Sequence, residues 1–115
     1  MSKRRDDQLL LEDILECIQK TQSYTKGMSF DAFTQNELVV DGVVRNLEII
    51  GEAATVLSKS TKAKIADVPW HKIKGLRNRI IHEYFDVSYE VIWFITQNEM
   101  APLKEAIQDY LKGIQ

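Results

Sequence analysis

Between residues 36 and 58 the apolar side chains Val39, Val40, Val43, Val44, Leu47, Ile50, Ala54 and Leu57 recur at spacings of three and four without a break. That period belongs to a helix with one face turned inward. The four valines favour strands locally, but a continuous period of this length overrides the preference. The same reading extends along the chain. Leu10 or Leu11, Ile14, Ile18 and Thr21 mark a first helix over about 5–25, which Gly27 stops. Ser29 or Asp31 caps a short turn holding Phe30 and Phe33, and Ser60 or Thr61 caps another near residues 62–66. Pro69 suits the first turn of a helix over about 69–84. Asp86 or Ser88 caps a last long helix over about 88–112, kinked at Pro102 and ended at Gly113. The expected fold class is all-α: a compact antiparallel bundle of four main helices plus short helical turns.

Composition narrows the class further. A chain of 115 residues makes one domain, spanning 1–115, with a single modest core. Cys17 is the sole cysteine, so neither an internal disulfide nor a cysteine-based metal site can form within one chain. With only two histidines, no zinc site is expected, and no cofactor. The start, MSKRRDDQ, runs into acids rather than an apolar stretch, so no signal peptide is expected. The longest apolar run, Val91 to Ile95, is far too short for a bilayer. A protein of the reducing cytoplasm, with no membrane partner, is the expectation.

The formal net charge is −2, which excludes a general polycation. The charge is nevertheless uneven. From Lys59 to His82 there are seven basic residues and one acid, Asp67, against eight basic and sixteen acidic elsewhere. Such a segment is either a solvated face that balances charge or a surface that attracts phosphate. Lys72, Lys74 and Arg79 are its candidate RNA contacts. Within it stands G-L-R-N-R-I-I-H-E-Y-F, Gly75 to Phe85, two arginines, a histidine and a tyrosine set among isoleucines.

An imidazole takes or gives a proton near neutral pH. A guanidinium grips phosphate with two parallel hydrogen bonds and stabilises a pentacoordinate phosphorane. Together these groups suffice for metal-free RNA cleavage, in which the 2′-hydroxyl attacks the adjacent phosphate. The geometry is less direct. Arg77 and His82, five residues apart, diverge by roughly 140° around a helix. Asn78 shares a stripe with His82, and Tyr84 one with Arg77. One helix therefore does not aim Arg77 and His82 at one point. Either the helix end turns His82 inward, or a second copy brings its own pair to a shared cleft. On spacing alone, a salt-bridged arginine and a hydrogen-bonded histidine would account for both residues.

The pattern Arg77, four residues, His82, then Tyr84 resembles the signature of the HEPN superfamily, and is similar to the HepT-type ribonuclease toxins paired with MNT-type nucleotidyltransferase antitoxins. The resemblance extends to R-N-L-E-I-I-G-E-A (Arg45 to Ala53), V-P-W-H-K-I-K-G-L-R-N (Val68 to Asn78) and H-E-Y-F (His82 to Phe85). It implies an all-α homodimer with the two motifs meeting at the interface. It implies metal-independent endoribonuclease activity on RNA, either tRNA or mRNA, in a type VII-like toxin–antitoxin system. Arg77 and His82 carry over as the catalytic pair, with Asn78 supporting them. Tyr84 carries over as the acceptor of AMP transferred by the antitoxin from ATP. A bulky, negatively charged adduct there would occlude the phosphate site and repel a second phosphate. Two other classes fit the chain: an inactive module that docks a nucleotidyltransferase, and an inert helical dimerisation domain.

Among the remaining residues, Arg45 and Glu48 suit a local helix pair. Glu52 either belongs to the same local charge pattern along the helix or reaches across to a basic partner such as Arg77 and holds it for catalysis. Gly42 and Gly51 cost a helix about 1 kcal/mol each relative to alanine, which points to close approach of a neighbour. Trp70 and Trp93 read as core or interface anchors, His71 as an exposed histidine, and Cys17 as inert core.

Overall fold

The computed structural model describes residues 3–83 and 87–114, and every described element is helical. The helices are α1 (Lys3–Thr25), α2 (Phe30–Gln35), α3 (Glu37–Val56), α4 (Lys59–Lys64), α5 (Trp70–His82), α6 (Tyr89–Asn98) and α7 (Met100–Gly113). The all-α bundle expected from the apolar periods is the fold observed.

Helix α3 is the axis of the bundle. Val40, Val43, Val44, Leu47, Ile50, Ala53 and Ala54 are all buried along it, against α1 on one side and α5 on the other. A fully buried Val, Leu or Ile stabilises the fold by about 1.5–3 kcal/mol, so this helix is held by tertiary packing in spite of its valines. Leu11, Ile14 and Ile18 of α1 are fully buried, as is Ile107 of α7, which lies against α1. Phe33 of α2 is buried beside Trp93 of α6, ring centres 5.1 Å apart, with Phe30 and Tyr89 adding further aromatic contacts. Trp93 is thus a core anchor.

Side-chain oxygens set the helix starts. Ser29 accepts from Ala32 N at 3.1 Å, Asn36 from Val39 N at 3.1 Å, and Ser88 from Val91 N at 3.2 Å. Each satisfies one of the orphan amides of a first turn. The other expected cap of α6, Asp86, lies outside the described residues, as do Tyr84 and Phe85. The short helix α4 begins earlier than expected, at Lys59, because its cap is Ser58 and not Ser60 or Thr61. The reason lies on another helix. The buried carboxylate of Asp7 on α1 accepts from Ser58 N at 3.1 Å and from the hydroxyls of Ser58 and Thr61. Replacing Asp7 with alanine strips three donors of a charged acceptor, and the expected loss is about 2–3 kcal/mol. Far-UV circular dichroism should record it as a fall in Tm of roughly 10 °C.

The expected last helix over 88–112 is two helices, not one kinked helix. It breaks at Glu99, and Met100 begins α7. Pro102 has no N–H to offer the carbonyl four residues back, and its ring clashes there. The chain resolves the conflict by ending α6 at Asn98, which places Pro102 in the first turn of α7, where the missing donor is harmless. Similarly, Pro69 precedes α5 as its cap residue instead of lying within its first turn.

Candidate functional site

The helix that carries the Arg–His motif is α5, anchored at its start by Trp70, whose Nε1 donates to Ile65 O at 3.1 Å. Its only fully buried apolar residue is Ile80; Ile73 and Leu76 are half-buried. The helix lies along α3, and the closest approach is at Gly51. A Cβ built on Gly51 would stand 2.2 Å from Cβ and 2.8 Å from Cγ of Arg77, and 3.3 Å from Ile73 O. The glycine is a notch into which the stem of Arg77 fits. Gly42 plays a milder version of the same part on α3: its Cβ would meet only the ring edge of Tyr24, at 3.1 Å.

Seated in this notch, Arg77 is held from two sides. Its Nη2 donates to Oε2 of Glu52, the next residue along α3, in a close ion pair. Its Nη1 donates to Oδ1 of Asn78 at 2.9 Å. Its Nε–H is buried and meets no acceptor among the described residues. A guanidinium has five N–H donors in a rigid fork, so one N–H on each terminal nitrogen is left for a ligand. The side chain remains 25% exposed. Arg45 pairs with Glu48 at 3.6 Å on the same α3 helix, leaving Glu52 to Arg77.

His82 closes α5 and is exposed. The helix stays regular up to it, with Glu83 N donating to Arg79 O at 2.7 Å. The helix end does not fold His82 back towards Arg77, and the roughly 140° divergence of the two side chains stands. Lys72, Gly75, Arg79 and His82 form one stripe of α5, at spacings of three and four. Lys74 and Arg77, three residues apart, lie on another, and Asn78, four residues before His82, lies between the two. The three candidate RNA contacts are all exposed but are divided between these stripes: Lys74 flanks Arg77, whereas Arg79 and, about 15 Å back from His82 along the helix, Lys72 lie on the His82 stripe. His71 is exposed, and Tyr84 lies outside the described residues. Cys17 is buried among apolar neighbours, and burial pushes its thiol pKa up. A neutral, covered thiol should react slowly with thiol reagents in the native protein and fast once the chain is unfolded in denaturant. Among the described residues no group of three or more His, Cys, Asp or Glu side chains is arranged to hold a metal ion, and no helix is long and apolar enough to cross a membrane.

Sequence reasoning missed one feature beside this helix. A groove of about 870 Å³ runs between α5 and the α6–α7 pair, with the buried side chains of Leu47 and Ile50 in its floor. The signal was present in Val91 to Ile95: a helix apolar all the way round has more than one face to cover.

The model of the family described as "Ribonuclease HepT-like" matches residues 14–110. A protein of Methanocaldococcus jannaschii named "Putative RNase" is 36% identical over 94% of this chain and 98% of its own length. One with the same descriptive name from Caldanaerobacter subterraneus subsp. tengcongensis is 38% identical, covering 89% of this chain and 91% of its own. "Probable ribonuclease HepT" of Thermococcus cleftensis is 32% identical over 88% of this chain and 92% of its own length. No solved structure matches the chain.

Proposed function

The chain belongs to the ribonuclease HepT-like family, and from that membership we propose that it is a metal-independent endoribonuclease, the toxin of a type VII-like two-gene system. Arg77 and His82 are its catalytic pair, and it works in the cytoplasm as a homodimer. The observation that carries this reading is the state of Arg77. A cation packed into a glycine notch and tethered by Glu52 and Asn78, with donors to spare, is preorganised for an anion.

The reaction assigns each group a task. A neutral imidazole takes the proton of the ribose 2′-hydroxyl as O2′ forms its bond to phosphorus. The P–O5′ bond then breaks, and O5′ receives a proton from an imidazolium. The products are a 2′,3′-cyclic phosphate and a 5′-hydroxyl. One histidine cannot occupy both positions at once, so His82 of each of two copies serves, one as base and one as acid. Arg77 neutralises the added charge of the phosphorane, and Asn78 and Glu52 hold its fork still. Lys74 and Arg79 beside the catalytic pair, and Lys72 further along α5, attract the flanking phosphates of a tRNA or mRNA.

Regulation follows from Tyr84, two residues beyond His82. A cognate MNT-type nucleotidyltransferase transfers AMP from ATP to its hydroxyl, forming the phenolic O–P bond as pyrophosphate leaves, and the adduct competes with RNA phosphate for Arg77. The test is to treat the purified protein with the nucleotidyltransferase and ATP, then measure intact mass and RNA cleavage together. The wild type should gain AMP and lose cleavage, while Tyr84→Phe should gain nothing and keep cleaving. Adenylylation that leaves cleavage intact, or persists in Tyr84→Phe, would overturn the regulatory assignment.

A further inference from the structure

The groove between α5 and the α6–α7 pair has no part in the chemistry above. Its volume of about 870 Å³ and its apolar floor of Leu47 and Ile50 put it in the class of concavities that take ligands. Phe94 of α6 lines it and is 56% exposed. The neighbouring Trp93 packs with Phe30 and Phe33, and Phe33 with Tyr89. Phe94 takes no part in these contacts, so its ring is left to the groove. Asn98, one turn on, donates from its amide nitrogen to Phe94 O at 3.0 Å, which leaves its amide oxygen as an acceptor on the same wall. The two long walls differ in charge. Lys72 and Arg79, the phosphate contacts of α5, stand on one; Glu105 and Asp109 of α7, one turn apart and both exposed, stand on the other. Neither carboxylate takes part in the ion pairs among the described residues, which join Lys20 to Glu16, Arg45 to Glu48 and Arg77 to Glu52.

Each of these parts matches one part of a nucleotide. An exposed aromatic ring stacks on the flat face of a base, cations hold the phosphate, and carboxylates accept from N–H groups on the base edge. A double helix hides both the face and the edge, so only an unpaired nucleotide presents them. We propose that the groove takes one unpaired base of the RNA, stacked on Phe94, with its Watson–Crick edge turned to Glu105 and Asp109. The opposed charge of the walls fixes its direction: the phosphate is drawn to α5 and repelled by α7. Guanine suits the edge best, because its N1–H and its amino group lie side by side and donate together to one carboxylate. Adenine and cytosine bring an amino group beside a ring nitrogen that only accepts. Uracil sets a carbonyl on either side of its single N–H, and both carbonyls are repelled. The subsite rests on the nuclease reading above and deepens it by naming the substrate, a single-stranded segment with guanine near the cut. Arg79 precedes His82 by three residues, about 4.5 Å along α5, so the stacked base belongs to a nucleotide close to the scissile phosphate.

Short 2′-O-methyl oligonucleotides test the subsite apart from cleavage, because a methylated O2′ cannot attack. Two fluorescent probes are used, one all uridine and one with a single guanine at its centre, and binding is followed by anisotropy. The wild type should bind the guanine probe about 10-fold more tightly. Phe94→Ala should weaken it by about 10–100-fold, and Phe94→Trp, which keeps a stacking face, should not. Glu105→Gln combined with Asp109→Asn should erase the preference for guanine, since an amide offers uracil the N–H donors a carboxylate lacks, and should leave the effect of Phe94→Ala in place. All three positions are exposed, and circular dichroism checks that each variant keeps its helix content. A wild type that binds both probes equally, or a Phe94→Ala variant that binds as the wild type does, would overturn the inference, and cleavage of unmodified RNA by the same protein would leave the nuclease standing. A preference for guanine that depends on Phe94, in a protein that cuts no RNA, would uphold the subsite and overturn the nuclease. A wild type that binds neither probe would overturn the subsite whatever its activity. So would a Phe94→Ala variant whose mass in solution falls by light scattering, because the ring would then belong to an interface between chains.

Discussion

Replacing His82 with alanine should lower the rate of RNA cleavage by about 10²–10⁴-fold, with the melting temperature changed by no more than a degree or two. The asymmetry follows from its position. His82 is exposed at the end of α5, so its loss exposes no cavity and breaks no packing, and surface changes of this kind stay within about ±0.5 kcal/mol. Arg77→Ala should cost a comparable factor, about 10²–10³, for a different reason: the phosphorane loses its cation. Arg77→Lys should recover little of this. An ammonium keeps the charge but cannot engage Glu52, Asn78 and a phosphate oxygen in one plane. Single-turnover rates on a defined RNA, beside thermal melts, separate these effects from unfolding. A variant that loses activity only in proportion to lost folded protein would put the residue among structural groups instead.

The second large effect is expected at Gly51, which touches no substrate. Carbon atoms in contact prefer about 3.5–4.0 Å, and a methyl at Gly51 would stand 2.2 Å from Cβ of Arg77. That atom is fixed to the α5 backbone, so α5 as a whole must move by more than 1 Å. Overpacking of this kind costs about 1–3 kcal/mol, only partly offset by the ~1 kcal/mol that alanine gains over glycine in a helix. The displaced helix is the one that carries the motif. A 1 Å error in placing a catalytic group can cost about 10²-fold, so Gly51→Ala should lose far more activity than stability. Gly42→Ala is the matched control. Its methyl would meet the ring of Tyr24 at 3.1 Å, and that half-exposed ring can swing aside. The gain in helix propensity should leave this variant at least as stable as the wild type, with cleavage unchanged. Paired melts and cleavage rates for the two alanine variants make the comparison.

The sequence carried the helices more fully than their ends. Periods of three and four along α1 and α3 are local facts, and the helices follow them. Where a long-range partner chooses among equals, local reading had no purchase. Three hydroxyls stand in Ser58, Ser60 and Thr61, and the cap goes to Ser58 because Asp7, 51 residues earlier, reaches it. Pro102 was legible as a disturbance of the last helix. That the helix would break and restart, and not bend, depended on how α6 and α7 pack against the rest. At the site, the types of group were legible and their placement less so. Glu52 as the tether of Arg77 was one of two open readings, settled by a helix crossing that brings together residues 25 apart. The division of Lys72, Lys74 and Arg79 between two stripes follows from the helix period alone. Which stripe faces α3 and which faces the groove followed only once α5 was docked on Gly51.

The most direct test of the central claim is incubation of the purified protein with a labelled RNA in excess EDTA, with the new ends identified by mass. A metal-independent transesterification centred on Arg77 and His82 predicts internal cleavage at undiminished rate, 2′,3′-cyclic phosphate and 5′-hydroxyl ends, and neither product with His82→Ala. Cleavage abolished by EDTA and restored by a divalent cation, or fragments ending in 5′-phosphate, would contradict it.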